Sequence, residues 1–156
     1  MRFTLLLVAF ISSLTNATEN TDWPNYANDP GSSKFAALDH INATNVQNLG
    51  VAWSWDSPDN LLVKNDRKLT PWGFKSTPIK IGKTLYISTS LGHVAAISPD
   101  EGKTIWTFDT KTYADGRPTN LGFNHRGVAY WSDTDQETII MPTNNGYLWA
   151  IDAKTG

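Results

Sequence analysis

Gly92-His93-Val94-Ala95-Ala96-Ile97-Ser98-Pro99-Asp100-Glu101-Gly102 lies over Gly146-Tyr147-Leu148-Trp149-Ala150-Ile151-Asp152-Ala153-Lys154-Thr155-Gly156. Gly92/Gly146, Ala96/Ala150, Ile97/Ile151 and Gly102/Gly156 are identical at a constant offset of 54 residues. The first copy continues through Lys103-Thr104-Ile105 to Trp106, and the second is cut at Gly156. Repeats of this size built from short strands signify a propeller or a solenoid. A repeat left open at its end implies a chain that is one part of something longer.

The block reads as hairpin grammar, in which short strands are punctuated by Gly, Pro and Asp. Thr84-Leu85-Tyr86-Ile87-Ser88-Thr89 predicts a strand, Leu91-Gly92-His93 a turn, and His93 to Ile97 the return strand. Pro99-Asp100-Glu101-Gly102 predicts a second turn, and Lys103 to Phe108 a third strand. The same order recurs in Thr138 to Thr143, the turn Asn144-Asn145-Gly146, and Tyr147 to Ile151. Upstream, Leu49 to Trp55 reads as a further edge strand. Trp53 precedes Trp106 by 53 residues, close to the repeat offset, so these indoles are expected to bury their faces against neighbouring blades. The expected fold is all-β: a partial β-propeller of about two blades, spanning residues 18–156. Since a propeller needs roughly 4–8 blades to close, two alone leave open sheet faces. Between the strands, Asp56 to Lys68 reads as a polar linker, and Lys111 to Asn124 as a long loop. The only helical signal is a short turn at Thr44 to Leu49, capped by Thr44.

Residues 1–17 read as a secretory signal. Arg2 supplies the charged start, Leu5 to Ile11 the apolar core, and Thr15-Asn16-Ala17 a cleavage site. The apolar stretch is too short to span a membrane. The expected location is therefore periplasmic or secreted. The sequence has no cysteine and a net charge of −2, with both signs interspersed. No basic patch points to nucleic acid and no polybasic run to a membrane surface. There is no phosphate-cradling glycine loop and no nucleophile elbow. His40 and His93 are isolated, without metal-ligand spacing.

The candidate site is His125-Arg126-Gly127-Val128-Ala129-Tyr130-Trp131, where the long loop enters a strand. Arg126 offers a planar fork of donors suited to a carboxylate, and Gly127 permits close backbone approach. The competing reading is a structural ion pair of Arg126 with Asp115 or Asp133.

Read in order, Asp22-Trp23-Pro24, Gly31, Lys34-Phe35, Leu38-Asp39-His40-Ile41-Asn42, Asn45-Val46, Leu49 and Ala52-Trp53 resemble the opening of the pyrroloquinoline quinone (PQQ)-dependent dehydrogenases. Thr77-Pro78-Ile79-Lys80, Gly82 and Leu85-Tyr86 are similar to that family's next strand, and Arg126 to Trp131 to its cofactor-proximal segment. The resemblance covers the whole chain after the signal and is closest to the glucose and polyol dehydrogenase branch.

The resemblance implies an eight-bladed quinoprotein propeller holding PQQ on its axis beside a calcium or magnesium ion. It implies oxidation of an alcohol, polyol or aldose, with electrons passed to ubiquinone or a cytochrome c. By position, Arg126 is expected to bind an oxygen of the cofactor. Lys75 stands where the family often has a cofactor-contacting Glu, and is expected to meet a cofactor carboxylate. The paired cysteines of some members are absent, with Asn120 and its neighbours in their region. The metal ligands and the catalytic Asp are expected beyond Gly156. The alternative from a different class is a non-enzymatic propeller scaffold for protein–protein interaction. Two features weigh against that alternative: no lipid-attachment cysteine follows the signal, and a scaffold has no need of the long loop feeding Arg126.

Overall fold

The computed structural model describes residues 21–119 and 121–156. The expected signal segment and Asn120 lie outside the described residues. Seven strands form two antiparallel sheets in sequence order. The first sheet contains β1 (Ile79–Ile81), β2 (Thr84–Ser88), β3 (His93–Ile97) and β4 (Thr104–Asp109). The second contains β5 (Ala129–Ser132), β6 (Glu137–Pro142) and β7 (Leu148–Asp152). Each pair is a hairpin, so the connections are local and the register follows from the turns. Across β2 and β3, Tyr86 faces Ala96 and Ser88 faces Val94. Across β6 and β7, Ile139 faces Ile151 and Met141 faces Trp149.

The core lies between the two sheets. Ile79, Tyr86, Val94 and Ala96 of the first meet Ile139, Met141, Ile151 and Ala153 of the second. Alternation along β3 sends Val94 and Ala96 into this layer. Leu91, Ala95 and Ile97 are equally buried outside the cluster, so both faces of β3 are covered.

Tryptophan and glycine join the layers at both repeat copies. Trp53 Nε1 donates to the Pro99 carbonyl at 2.9 Å, and its ring lies on Gly102. One repeat later, Trp106 Nε1 donates to the Ala153 carbonyl at 3.0 Å, and its ring lies on Gly156. Both glycines close the same turn, with Gly102 N donating to Ser98 O and Gly156 N to Asp152 O. A Cβ on Gly102 would stand 2.5 Å from the Trp53 ring. The φ of +66° is, moreover, one that L side chains rarely adopt. Ala153 O also accepts from the Tyr86 hydroxyl at 3.0 Å, and the Tyr86 ring is tilted against Trp106 at 6.0 Å.

Three local expectations need correction. Leu49 to Trp55 does not form a strand. Among the described residues no neighbouring strand pairs with it, and its indoles hold it to the first sheet instead, Trp55 Nε1 donating to Thr104 Oγ1. Thr44 does not cap the short turn at Val46–Asn48, because its hydroxyl donates to Asn42 Oδ1. The polar run Asp56 to Lys68 is not a linker: it folds into α1 (Asp59–Asn65) and a 3-10 turn at Arg67–Leu69.

The helix is held by a buried polar joint that sequence reading missed. The Asp59 carboxylate accepts from Thr89 Oγ1 at 2.7 Å and from Leu91 N at 2.9 Å, and lies 2.9 Å from His93 Nδ1. On its other side, His93 Nε2 lies 3.6 Å from Asp109, its cross-strand partner, and the ring stacks on Tyr113. The Tyr113 hydroxyl donates to Asp109 at 3.0 Å; burial and that carboxylate push its pKa up. One imidazole thereby ties α1 to the 3-10 turn at Thr112–Asp115. Removing one member leaves a buried polar partner unsatisfied, which costs about 1–3 kcal/mol.

Nearby His125 is buried, and its Nε2 has no hydrogen-bond partner among the described residues. Burial lowers its pKa below the usual 6.5, against an opposing pull from Asp59. The unfolded chain therefore takes up the proton first as pH falls below 6.5, and stability rises with pH across the window between the lowered folded value and 6.5. Urea unfolding is expected to show a midpoint falling on acidification from about pH 7.5 toward pH 5.5, the range in which an ordinary histidine titrates, with a shallower fall in His125→Gln. An unchanged slope in that variant would move the effect to another group.

The seam gives a second expectation. Gly82→Ala places a Cβ in open space at φ +54°, whereas Gly102→Ala meets an indole. Each substitution costs roughly 1–2 kcal/mol from the backbone, and Gly102→Ala is expected to cost about 2 kcal/mol more from overpacking. Denaturant midpoints of the two variants check this, and equal losses would mean the ring does not bear on the turn.

Candidate functional site

The chain enters the two sheets through segments that run side by side. Thr77 N donates to the Arg126 carbonyl at 3.2 Å, joining the lead-in of β1 to that of β5. At the next residue, Gly127 has φ +139°, and a Cβ there would stand 3.0 Å from Thr77 O. Only glycine lets the two lead-ins approach this closely. On the outer side of β1, Trp23 pairs with Lys80 through two backbone hydrogen bonds, which brings Tyr26 alongside.

These segments frame a cleft of about 590 Å³. Ile79, Val128, Ala129, Ile140 and Pro142 form apolar walls, with Tyr26 and Thr77 adding polar groups. Lys75 and Arg126, singled out separately in the sequence, line this same cleft. No carboxylate lines it, so two cationic residues border a largely apolar space whose lining supplies no counter-charge. Such a site favours an anionic, mostly flat or apolar ligand. Tyr26 is the lining residue that sequence reading missed. It sits in an irregular, turn-rich stretch that the Trp23–Lys80 bridge brings alongside β1.

Neither structural ion pair considered for Arg126 forms. Asp115 accepts from Asn145 Nδ2 instead. Asp133 accepts from the backbone amides of Asp135 and Gln136, which pull its pKa down. Among the described residues the Arg126 and Lys75 side chains have no ion pair. The Lys75 ammonium rests over the Trp72 ring, 4.9 Å from its centre. His125, next to Arg126, points away from the cleft to Gly92, where a Cβ would lie 3.6 Å from its Nε2.

The contents of the cleft fit PQQ, whose three carboxylates would find two unpaired cations and whose flat rings would find apolar walls. Among the described residues no group of three or more His, Cys, Asp or Glu side chains is placed to hold a metal ion.

Residues 23–156 match the family model described as PQQ, glucose/ethanol/alcohol dehydrogenase, β-propeller domain. The chain is 34% identical over 150 residues to the quinoprotein glucose dehydrogenase of Escherichia coli strain K12, covering 86% of this chain and 18% of that protein. It is 32% identical over 147 residues to the quinohemoprotein alcohol dehydrogenase of Comamonas testosteroni, covering 90% of this chain and 18% of that protein. The crystal structure of the Comamonas testosteroni enzyme superposes with a TM-score of 0.67 at 32% identity, over 91% of this chain and 19% of that one. The quinohemoprotein alcohol dehydrogenase ADHIIG of Pseudomonas putida HK5 superposes with a TM-score of 0.69 at 28% identity, over 86% of this chain and 18% of that one. The chain thus spans about 18% of the length of the curated relatives it matches. With the tandem sheets, the indole-on-glycine seam and a match over nearly every described residue, the chain belongs to the β-propeller family of the PQQ-dependent glucose, ethanol and alcohol dehydrogenases.

Proposed function

We propose that this chain supplies the opening blades of an exported, PQQ-dependent dehydrogenase that oxidises an alcohol, polyol or aldose. Ubiquinone or a cytochrome c is the proposed electron acceptor, and the periplasm or the extracellular space the proposed location. The observation that carries the reading is the meeting of Lys75 and Arg126 in one cleft that no carboxylate lines. When bound, PQQ supplies the two-electron oxidation of the substrate carbon. This chain's residues hold and orient it. The Arg126 guanidinium takes a carboxylate of the quinone as a charge-assisted pair, and Lys75 takes a second as a point charge. The apolar walls exclude water from the flat rings, which strengthens both contacts. A calcium or magnesium ion, held by residues outside those described, completes the proposed site.

In the full chain, Arg126→Ala is expected to weaken PQQ binding about tenfold or more, because a hydrogen bond to a charged group contributes about 1.5–3 kcal/mol. Titration of the apo-protein with PQQ checks this, with Lys64→Ala, at an exposed residue outside the cleft lining, as the unchanged control. Equal affinity in Arg126→Ala and the parent would overturn the assigned role. Supplied with PQQ, calcium and an artificial acceptor, the 156-residue chain is expected to turn over neither glucose nor ethanol, since the described residues offer no metal site. Turnover would place the whole reaction in these two sheets.

A further inference from the structure

Lys75 differs from the other well-placed lysine of the first sheet in how its charge is used. The Lys80 ammonium is consumed within the fold: it donates to Thr21 Oγ1 and to Gly82 O, and lies 3.6 Å from Asp22. The Lys75 ammonium instead sits over the Trp72 ring and donates to no acceptor among the described residues. The distinction matters chemically. A hydrogen-bonded lysine has committed its N–H groups, and an ion-paired one has its charge neutralised. An ammonium over an indole face is biased toward that place by the ring quadrupole, and the N–H groups turned away from the ring stay free. It is held in one region yet still able to bind an anion.

Trp72 is otherwise hard to explain. It is 67% exposed, whereas Trp53, Trp55, Trp106 and Trp149 are all partly buried. It belongs to neither core nor seam. Its ring lines a second hollow, opposite Arg117, Leu121 and Gly122.

We infer that Trp72 is a positioning residue for the anion-binding corner of the cleft: its ring holds the Lys75 ammonium so that it meets a carboxylate of the bound ligand. This rests on the proposed function. In this corner the recognised feature is the ligand's negative charge. An unanchored lysine at an exposed position would surrender side-chain entropy on binding. The ring removes part of that cost in advance, which is preorganisation.

The test is a double-mutant cycle on PQQ affinity in the full chain, joined to a measurement of the contact itself. Trp72→Leu is expected to weaken PQQ binding roughly two- to fivefold, the range of an exposed cation–π pair, with Trp72→Phe restoring part of the loss. In a Lys75→Gln background the Trp72→Leu change is expected to have no further effect. The high exposure of Trp72 means that these variants keep the fold. Independently, carbon-13 labelling of lysine is expected to show one ε-methylene resonance displaced upfield by the indole ring current, lost in both Trp72→Leu and Lys75→Gln. A Trp72→Leu loss of the same size in both backgrounds, or no loss at all, overturns the inference. If the displaced resonance is present while PQQ fails to bind even the parent chain, the contact stands and the quinone reading falls instead.

Discussion

Everything in this chain depends on an indole lying flat on a glycine. The sheets are short, and each is covered only where its neighbour packs on it. Trp53 on Gly102 and Trp106 on Gly156 repeat the same device one sheet later, each with an indole N–H to a turn carbonyl. The pairing is selective in both partners. A smaller ring would leave the glycine turn exposed, and any side chain on the turn would occupy the space of the ring. The hydrogen bond fixes the rotation of the indole, so the seam sets an angle between layers as well as a distance. Tyr86 adds a second donor to the same Ala153 carbonyl, tying β2 directly to the second sheet.

Because the seam recurs, equivalent positions of successive sheets are brought side by side. Lys75 lies four residues before Ile79, the first residue of β1, and Arg126 three before Ala129, the first of β5. They are near-equivalent points of one repeat. Their convergence in one cleft follows from the architecture, and the side-chain chemistry is laid on top. The Thr77–Arg126 hydrogen bond and the close approach at Gly127 are the physical links that carry this equivalence into the cleft. The buried joint of Asp59, His93 and Asp109 works at the same end of the first sheet, where Ser76 Oγ meets Ser88 Oγ at 2.9 Å. It anchors α1, which precedes Lys75, and stands beside the turn that begins the long approach to Arg126.

Much of this was legible in the sequence, for identifiable reasons. The strands from Thr84 to Phe108 were readable because turn residues bracket alternating apolar ones, a local signal that survives without context. The indole docking was readable because its period matched that of the turns. Helix α1 was not, because Asp59-Asn60-Leu61-Leu62-Val63-Lys64-Asn65 is too short to be helical on propensity alone. Its start is specified by a carboxylate meeting Thr89, Leu91 and His93, some thirty residues away. The edge strand expected at Leu49 to Trp55 failed for the converse reason. The local pattern was right for a strand, but pairing is a property of two segments, and no second one accompanies it among the described residues. At the site, Arg126 and Lys75 could be picked out singly, whereas Tyr26 needed a bridge between Trp23 and Lys80 that no local pattern encodes.

A cleft that belongs to two sheets has a further consequence. Lys75 and Ile79 come with the first sheet, and Arg126, Val128 and Ile140 with the second. The two edges carry one cationic residue each into a cleft that no carboxylate lines, and the seam holds those edges together. A ligand that binds only the docked arrangement stabilises that arrangement by mass action, in proportion to its concentration over its dissociation constant. Site and seam are therefore one thermodynamic unit. The glycine that admits the indole and the glycine that admits Thr77 serve the same end, because each sets how closely two layers approach, and that closeness brings Lys75 and Arg126 to the lining of one cleft.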